Sequence, residues 1–297
     1  MSDRTGAVYD LGYVPYDGER SGRRGAIAAT VRDGLQREMG IKRRARKKVL
    51  PWILTTMAIL PAVVFVGFAF LTSTFTPDPE SPFASHADYF NLVGAVVFLF
   101  IALTAPEMLI PDRKDGVLSI YASRPMRADD YVWARTAAMA MVLFGFLLVP
   151  HVLLYVGFAA LSPEGLVSAL VDNSGEIPKI LLTASVYVLG FVPIALLIAA
   201  FAKRKSVAAG IFIVGMPILA GIGNSLVEAA DLPGHRYGAL LALPEHPAHV
   251  RDWIFDRASS DIAMARAGLD PWISLTIILV IAVVSLSIVV VRYRRLM

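Results

Sequence analysis

Six stretches of this chain, 49–71, 89–110, 131–161, 177–202, 206–227 and 271–291, are long, apolar and nearly free of charge. Each reaches the roughly 20 residues a helix needs to cross a bilayer core. Hydrocarbon offers no partner to backbone N–H and C=O groups, so a crossing segment is a helix or part of a closed barrel. No run shows the sustained period-two alternation of a barrel strand. The expected fold is therefore an all-α integral membrane protein with six transmembrane helices. The third and fourth runs are long enough to tilt or to project beyond the bilayer. Composition agrees: 56% of the 297 residues are hydrophobic, and the mean hydropathy is +0.62.

Basic residues set the orientation. Residues 1–48 hold 12 of the 28 lysines and arginines. Further clusters are Arg113, Lys114, Arg124, Arg127 and Arg135; Lys203, Arg204 and Lys205; and Arg292, Arg294 and Arg295. Together these alternate segments hold 23 of the 28, whereas loops 72–88 and 162–176 hold none. Both termini are expected in the cytoplasm. The first 25 residues lack the apolar core of a signal peptide, so the first run is expected to stay as a span. Arginine outnumbers lysine 21 to 7, which points to a bacterial source and a multi-pass protein of the bacterial cytoplasmic membrane. The absence of cysteine excludes disulfides and thiolate metal sites.

Two regions follow: a cytoplasmic segment, 1–48, and a six-helix transmembrane domain, 49–297. In the first, Ile27, Val31, Leu35 and Met39 recur at every fourth position and make one apolar stripe, with Arg32, Asp33, Gln36 and Arg37 off it. The pattern predicts a basic amphipathic helix within 26–48, an elbow in the membrane interface. The run from Tyr9 to Tyr16 is too aromatic for a plain tail and is expected to pack on something. Outside, the loop 228–270 is the one sizeable segment. It is expected to hold helical fragments, such as 248–266, and to form a small cap or dip back into the membrane.

The most informative stretch runs from Ala105 to Arg135. Pro111 is expected to end the second span. A short helix over 116–123 follows, with Val117, Leu118 and Tyr121 on one face. Arg124-Pro125 stops it, and Asp129-Asp130 cap the third span. This resembles the first cytoplasmic loop of permease subunits of the ABC-2 type exporter family. The matching residues are Arg113, Asp115, Gly116, Leu118, Ser123, Arg124, Pro125, Arg127, Tyr131 and Arg135. The resemblance implies a coupling helix that docks on a separate ATP-binding subunit, with Val117 and Tyr121 completing its contact face. It also implies a second permease copy or a paralogue, and a path lined by the second and fifth spans. ATP and Mg would sit in the partner subunit, with no cofactor in this chain and no nucleic acid involved.

The chain has no G-x-x-x-x-G-K-[ST] loop to cradle ATP phosphates, and no H-E-x-x-H or G-x-S-x-G, so no enzymatic activity of its own is expected. Candidate pathway or gate residues are Pro106 and Glu107 in the second span and Gly215, Pro217 and Asn224 in the fifth. The alternative for Glu107 is an interfacial carboxylate paired with Arg113 or Arg135. Small-residue packing is the alternative for the fifth span. His151 is expected to be a packed polar residue, and His235, His246 and His249 fit no standard metal site. Two other classes stay open: a subunit that passes mechanical work to an outer partner, and a secondary transporter, which would need broken helices and midplane charges.

Overall fold

A computed structural model describes Gly18 and residues 21–41, 46–75, 85–229, 231, 233–258 and 261–297. The Tyr9–Tyr16 run and residues 76–84, within the loop 72–88, lie outside these residues. The helices are α1 (Gly22–Glu38), α2 (Arg46–Phe75), α3 (His86–Lys114), α4 (Leu118–Ala122), α5 (Ala128–Leu161) and α6 (Leu166–Asp172), then α7 (Glu176–Phe201), α8 (Lys205–Glu228), α9 (His246–Ile254), α10 (Ala263–Arg266) and α11 (Pro271–Arg294). Among the described residues there is no strand. Six of the helices, α2, α3, α5, α7, α8 and α11, are long and apolar enough to span a membrane. They contain the six apolar runs of the sequence except for Ala202, which lies just past the end of α7, and extend most of them by up to a few residues at their ends.

Proline does not interrupt these helices: α5 runs on past Pro150, α7 past Pro193 and α8 past Pro217. α7 packs on α11, α3, α5, α8 and α9 and forms the centre of the bundle. Aromatic side chains fill the layers around it, with Phe100 and Phe146 stacked at 4.3 Å between ring centroids. α2 lies outside, against α5 and α3. It buries little more than Leu54, Ala58 and Ala62, while Val63, Val64 and Phe70 stay exposed. α8 and α11 likewise expose Val214, Ile218, Val283 and Val284. A protein in water rarely carries apolar surface on this scale; on helices of this length it is the surface a bilayer covers.

The ends of the bundle differ. One, here the basic end, gathers α1, α4, the C-termini of α3, α7 and α11 and the N-termini of α5 and α8. Ion pairs Arg294–Asp129 at 2.5 Å and Lys205–Glu107 at 2.6 Å tie it together. The opposite end carries α6, which lies in what reads from the sequence as the loop 162–176, and the segment from α8 to α11. That segment begins with 3-10 turns over His235–Leu241 and Leu243–Glu245. The fragment expected over 248–266 is two helices, α9 and α10, because Phe255 and Asp256 turn the chain and Asp256 adopts a left-handed φ of 52°. α9 dips against α7 and α11. It carries Arg251 inward, ion-paired to Asp252 at 2.6 Å and within 3.4 Å of the Tyr187 hydroxyl. At Gly190 a Cβ would come within 2.7 Å of the Pro247 ring, so the glycine permits the approach.

Candidate functional site

The basic end is organised around the last turns of α3. The helix does not stop at Pro111 but continues to Lys114. Proline there removes the hydrogen bond that would reach the Glu107 carbonyl. Arg37 of α1 approaches that carbonyl instead, with Nη1 at 3.4 Å. α3 then ends at Gly116, whose φ of 69° is a left-handed conformation that suits glycine. The N–H of Val117 donates back to the Asp112 carbonyl at 3.1 Å. This turn throws the chain sideways into α4.

Asp112, one turn before that glycine, is buried and accepts three hydrogen bonds. They come from Arg37 Nη1 at 2.7 Å, Arg135 Nη2 at 2.6 Å and the Tyr131 hydroxyl at 2.8 Å. Asp33 closes the circuit, accepting from Arg37 Nη2 at 2.9 Å and Arg135 Nη1 at 2.8 Å. Two arginines and two aspartates thus alternate in a ring that joins α1, α3 and α5. Burial pushes the Asp33 carboxyl up, but the hydrogen bonds and charges of Arg135 and Arg37 outweigh it and hold it below its ordinary value. Such charges are tolerable in a low-dielectric place because each is paired and hydrogen-bonded.

α1 can reach this position because its inner line is Thr30, Gly34 and Glu38, all buried. A Cβ at Gly34 would stand 2.6 Å from that of Ala138 on α5. Ile27, Val31, Leu35 and Met39 flank this line and pack, partly buried, against the bundle core. The stripe read as a membrane-facing surface therefore leans on protein. The C-terminal residue of α1, Glu38, is 2% exposed, and neither carboxyl oxygen has a hydrogen-bond partner.

α4 is shorter than the 116–123 expected, and its apolar face points inward. Leu118 is buried, and Tyr121 packs on Tyr131, its hydroxyl accepting from Arg135 Nη2 at 3.1 Å. Val117 is half-buried. The side left outward presents Ser119, Ile120, Ser123, Arg124 and Pro125, with Ile120 53% exposed. Asp115 and Arg127 flank it, both exposed. Between this side and α1 lies a cleft of about 360 Å³ whose walls include Arg37, Asp115, Ile120 and Arg124. Arg113 is elsewhere: its guanidinium donates to the Ala199, Ala200 and Ala202 carbonyls and caps α7.

The pathway candidates are not brought together. Pro106 is buried in α3, and Glu107 pairs with Lys205 rather than with Arg113 or Arg135. Gly215 and Pro217 lie midway along α8, with Pro217 exposed. Asn224 sits near the far end of the same helix, about 29 Å from Lys205 at 1.5 Å per residue. There it donates to Glu245 at 2.6 Å and accepts from Arg266, which ties α8 to the segment between α8 and α11.

His151 packs within the bundle, its Nδ1 3.0 Å from that of His86. His86 in turn lines a cavity of about 460 Å³ at the opposite end, beside Tyr155, Glu176 and Phe255. His246 and His249 both meet the Ser274 hydroxyl at 2.9 Å, and burial lowers both imidazoles below their ordinary value. Among the described residues no three metal-ligating side chains gather in one place.

Tyr131 and Arg135 stand among the residues that carry the family resemblance, whereas their partners Asp33, Arg37 and Asp112 carry no sign in the sequence that they meet them. The chain matches no model of a known protein family and none of the curated proteins with which it was compared.

Proposed function

We propose that this chain is the membrane-spanning permease subunit of an ATP-driven exporter of the ABC-2 type, with its ATPase on a separate subunit. The observation that supports this most is α4. A helix of five residues is too short to persist alone in water, yet here it is fixed to three longer helices through Leu118, Tyr121 and the ion-pair ring. A partner pressing on its outer side would move α1, α3 and α5 as one body. In this reading the ATPase takes Ile120 and Arg124 as its anchors, an aliphatic side chain beside a cation suited to charge-assisted contacts. The docking face is thus the outer side of α4, in place of Leu118 and Tyr121. Two copies would pair along the outer half of α8, where Val214, Ile218 and Ile222 are exposed. The six long helices are each continuous, which speaks for this reading over a secondary transporter built on broken helices.

Isolation of the full chain from its native membrane should bring down a nucleotide-binding protein. Ile120→Glu with Arg124→Glu should lose that protein. The midpoint of thermal unfolding should stay within roughly 2 °C, as for other surface changes. ATP hydrolysis by this chain alone, or a double variant that keeps its partner and its export, would overturn the proposal.

Orientation is tested separately. A cysteine at Ser206, exposed at the basic end, should react with an impermeant thiol reagent only after the membrane is opened. A cysteine at Ser168, exposed on α6, should react in intact cells. Labelling of intact cells at position 206 would reverse the assignment of the basic end to the cytoplasm.

A further inference from the structure

At the basic end Lys203 and Arg204 on one side, and Arg292 and Arg295 on the other, line two pockets that share Phe201, and no carboxylate among the described residues pairs with any of the four. The neighbouring acids are already committed, Glu107 to Lys205, Asp129 to Arg294 and Asp130 to Arg23. The four surround one aromatic side chain, Phe201, at the C-terminus of α7. Its ring is 52% exposed, with the Arg292 guanidinium 4.3 Å from its centroid. Arg292 is held there by a 2.7 Å hydrogen bond from its Nε to the Ala200 carbonyl.

Two apolar grooves run from this point toward the middle of the bundle, one on each side of Phe201. The first, between α7 and α8, has a volume of about 670 Å³, with Leu197, Ile198, Val207 and Ile211 in its walls and Lys203 and Arg204 at its mouth. The second, between α7 and α11, has about 410 Å³, with Ile288, Val291 and Leu296 in its walls and Arg292 and Arg295 at its mouth.

We infer that the grooves flanking Phe201 form a binding site for an anionic phospholipid, with the headgroup phosphate among the four cations and the acyl chains on either side of the ring. Two features select this occupant. Charge complementarity calls for an anion, since the mouths are cationic and no carboxylate lines either groove. The walls call for long apolar tails, since they lie on helices of membrane-spanning length and composition. A soluble anion would use the mouths and leave both grooves unfilled. Basic pockets between spanning helices on the cytoplasmic side are suited to such headgroups, each nearby Lys or Arg adding to the attraction. Arg292 is already oriented by its bond to Ala200, so less freedom is lost when a phosphate arrives. The site lies away from the docking face of α4 and does not depend on the proposed function.

The test uses the full chain, purified in a non-ionic detergent and stripped of lipid. Phosphatidylglycerol titrated into it should raise the thermal midpoint saturably, and native mass measurement should retain a lipid adduct. Phosphatidylcholine and inorganic phosphate should do neither. Lys203→Gln, Arg204→Gln and Arg295→Gln combined should weaken phosphatidylglycerol binding at least about tenfold. A control removes the same charge elsewhere at this end, with Arg24→Gln, Arg124→Gln and Arg127→Gln, and should change binding less than about twofold. Equal loss in the two triple variants would reduce the effect to general charge and overturn the site. Equal stabilisation by phosphatidylcholine, or full stabilisation by phosphate alone, would overturn the choice of occupant. If the first triple variant is too unstable to purify, Phe201→Asp decides. It places a carboxylate between the grooves and should abolish the adduct on the otherwise native chain.

Discussion

Arg135→Met should cost this protein about 3–5 kcal/mol, the range for removing one partner of a buried ion pair. The arginine is fully buried and donates to Asp112, Asp33 and the Tyr121 hydroxyl. Two of its ring partners cannot retreat to water, Asp112 at 3% and the Arg37 side chain at 7% exposed, whereas Asp33 is 44% exposed and keeps part of its hydration. The loss should appear as a fall in thermal midpoint on the order of 10 °C. It should also appear as protease cleavage within α1, because Asp33 then has only Arg37 to hold it. Arg135→Lys should recover part of the loss, since an ammonium keeps the charge but cannot fork between two carboxylates.

A double-mutant cycle separates this account from simple loss of packing. Asp112→Leu with Arg135→Met removes both charges of one pair and leaves Arg37 with Asp33. The double variant should be more stable than the sum of the single losses predicts, by at least about 1 kcal/mol. Strict additivity would show that the ring is not a coupled unit, and α4 would then lack a rigid link to α1.

The spanning helices were legible in the sequence because an uncharged run of some twenty apolar residues has few other solutions in a cell. Their ends were less so. Pro111 reads as a stop, yet α3 continues past it, since an arginine from a distant segment approaches the carbonyl that proline leaves open. The ring itself was hidden. Asp33 and Arg37 read as the polar side of an interfacial amphipathic helix, Asp112 as a charge of the following loop, and Arg135 as a basic residue opening the third span. What brings them together is the close approach of α1 to α5, and its one sequence sign is the small-and-polar line of Thr30, Gly34 and Glu38 at a spacing of four. The direction of α4 was also illegible. Val117, Leu118 and Tyr121 make one apolar face whether the bundle or another protein covers it, and only the position of Arg135 decides between the two.

Glu38→Gln should remove a pH dependence from the docking of α1. The Glu38 carboxyl has no donor on either oxygen and stands at a helix C-terminus, where the peptide dipoles also disfavour a negative charge. Burial raises it well above its ordinary value of 4.5, the Glu107 carboxylate of α3 raises it further, and Arg135 of α5 opposes both. Arg135 is already engaged by Asp33 and Asp112, and Lys205 of α8 by Glu107, so neither is free to neutralise it. With α1 docked, Glu38 therefore keeps its proton. With α1 released, it loses that proton near 4.5. Above this value the released state binds fewer protons than the docked state, so docking weakens as pH rises, by up to about 1.4 kcal/mol per unit, until the buried carboxyl itself ionises. Asp33 works the other way: its lowered value favours docking above the ordinary carboxylate range and fails as pH falls. The wild-type chain should thus show its slowest proteolysis of α1 in mildly acidic solution and faster cleavage toward neutral and alkaline pH. Glu38→Gln, with an uncharged group of the same shape, should hold the slow rate across that upper range and keep the acid limb set by Asp33. Parallel upper limbs in the two proteins would mean that Glu38 is ionised in place, and that a counter-charge or water reaches it.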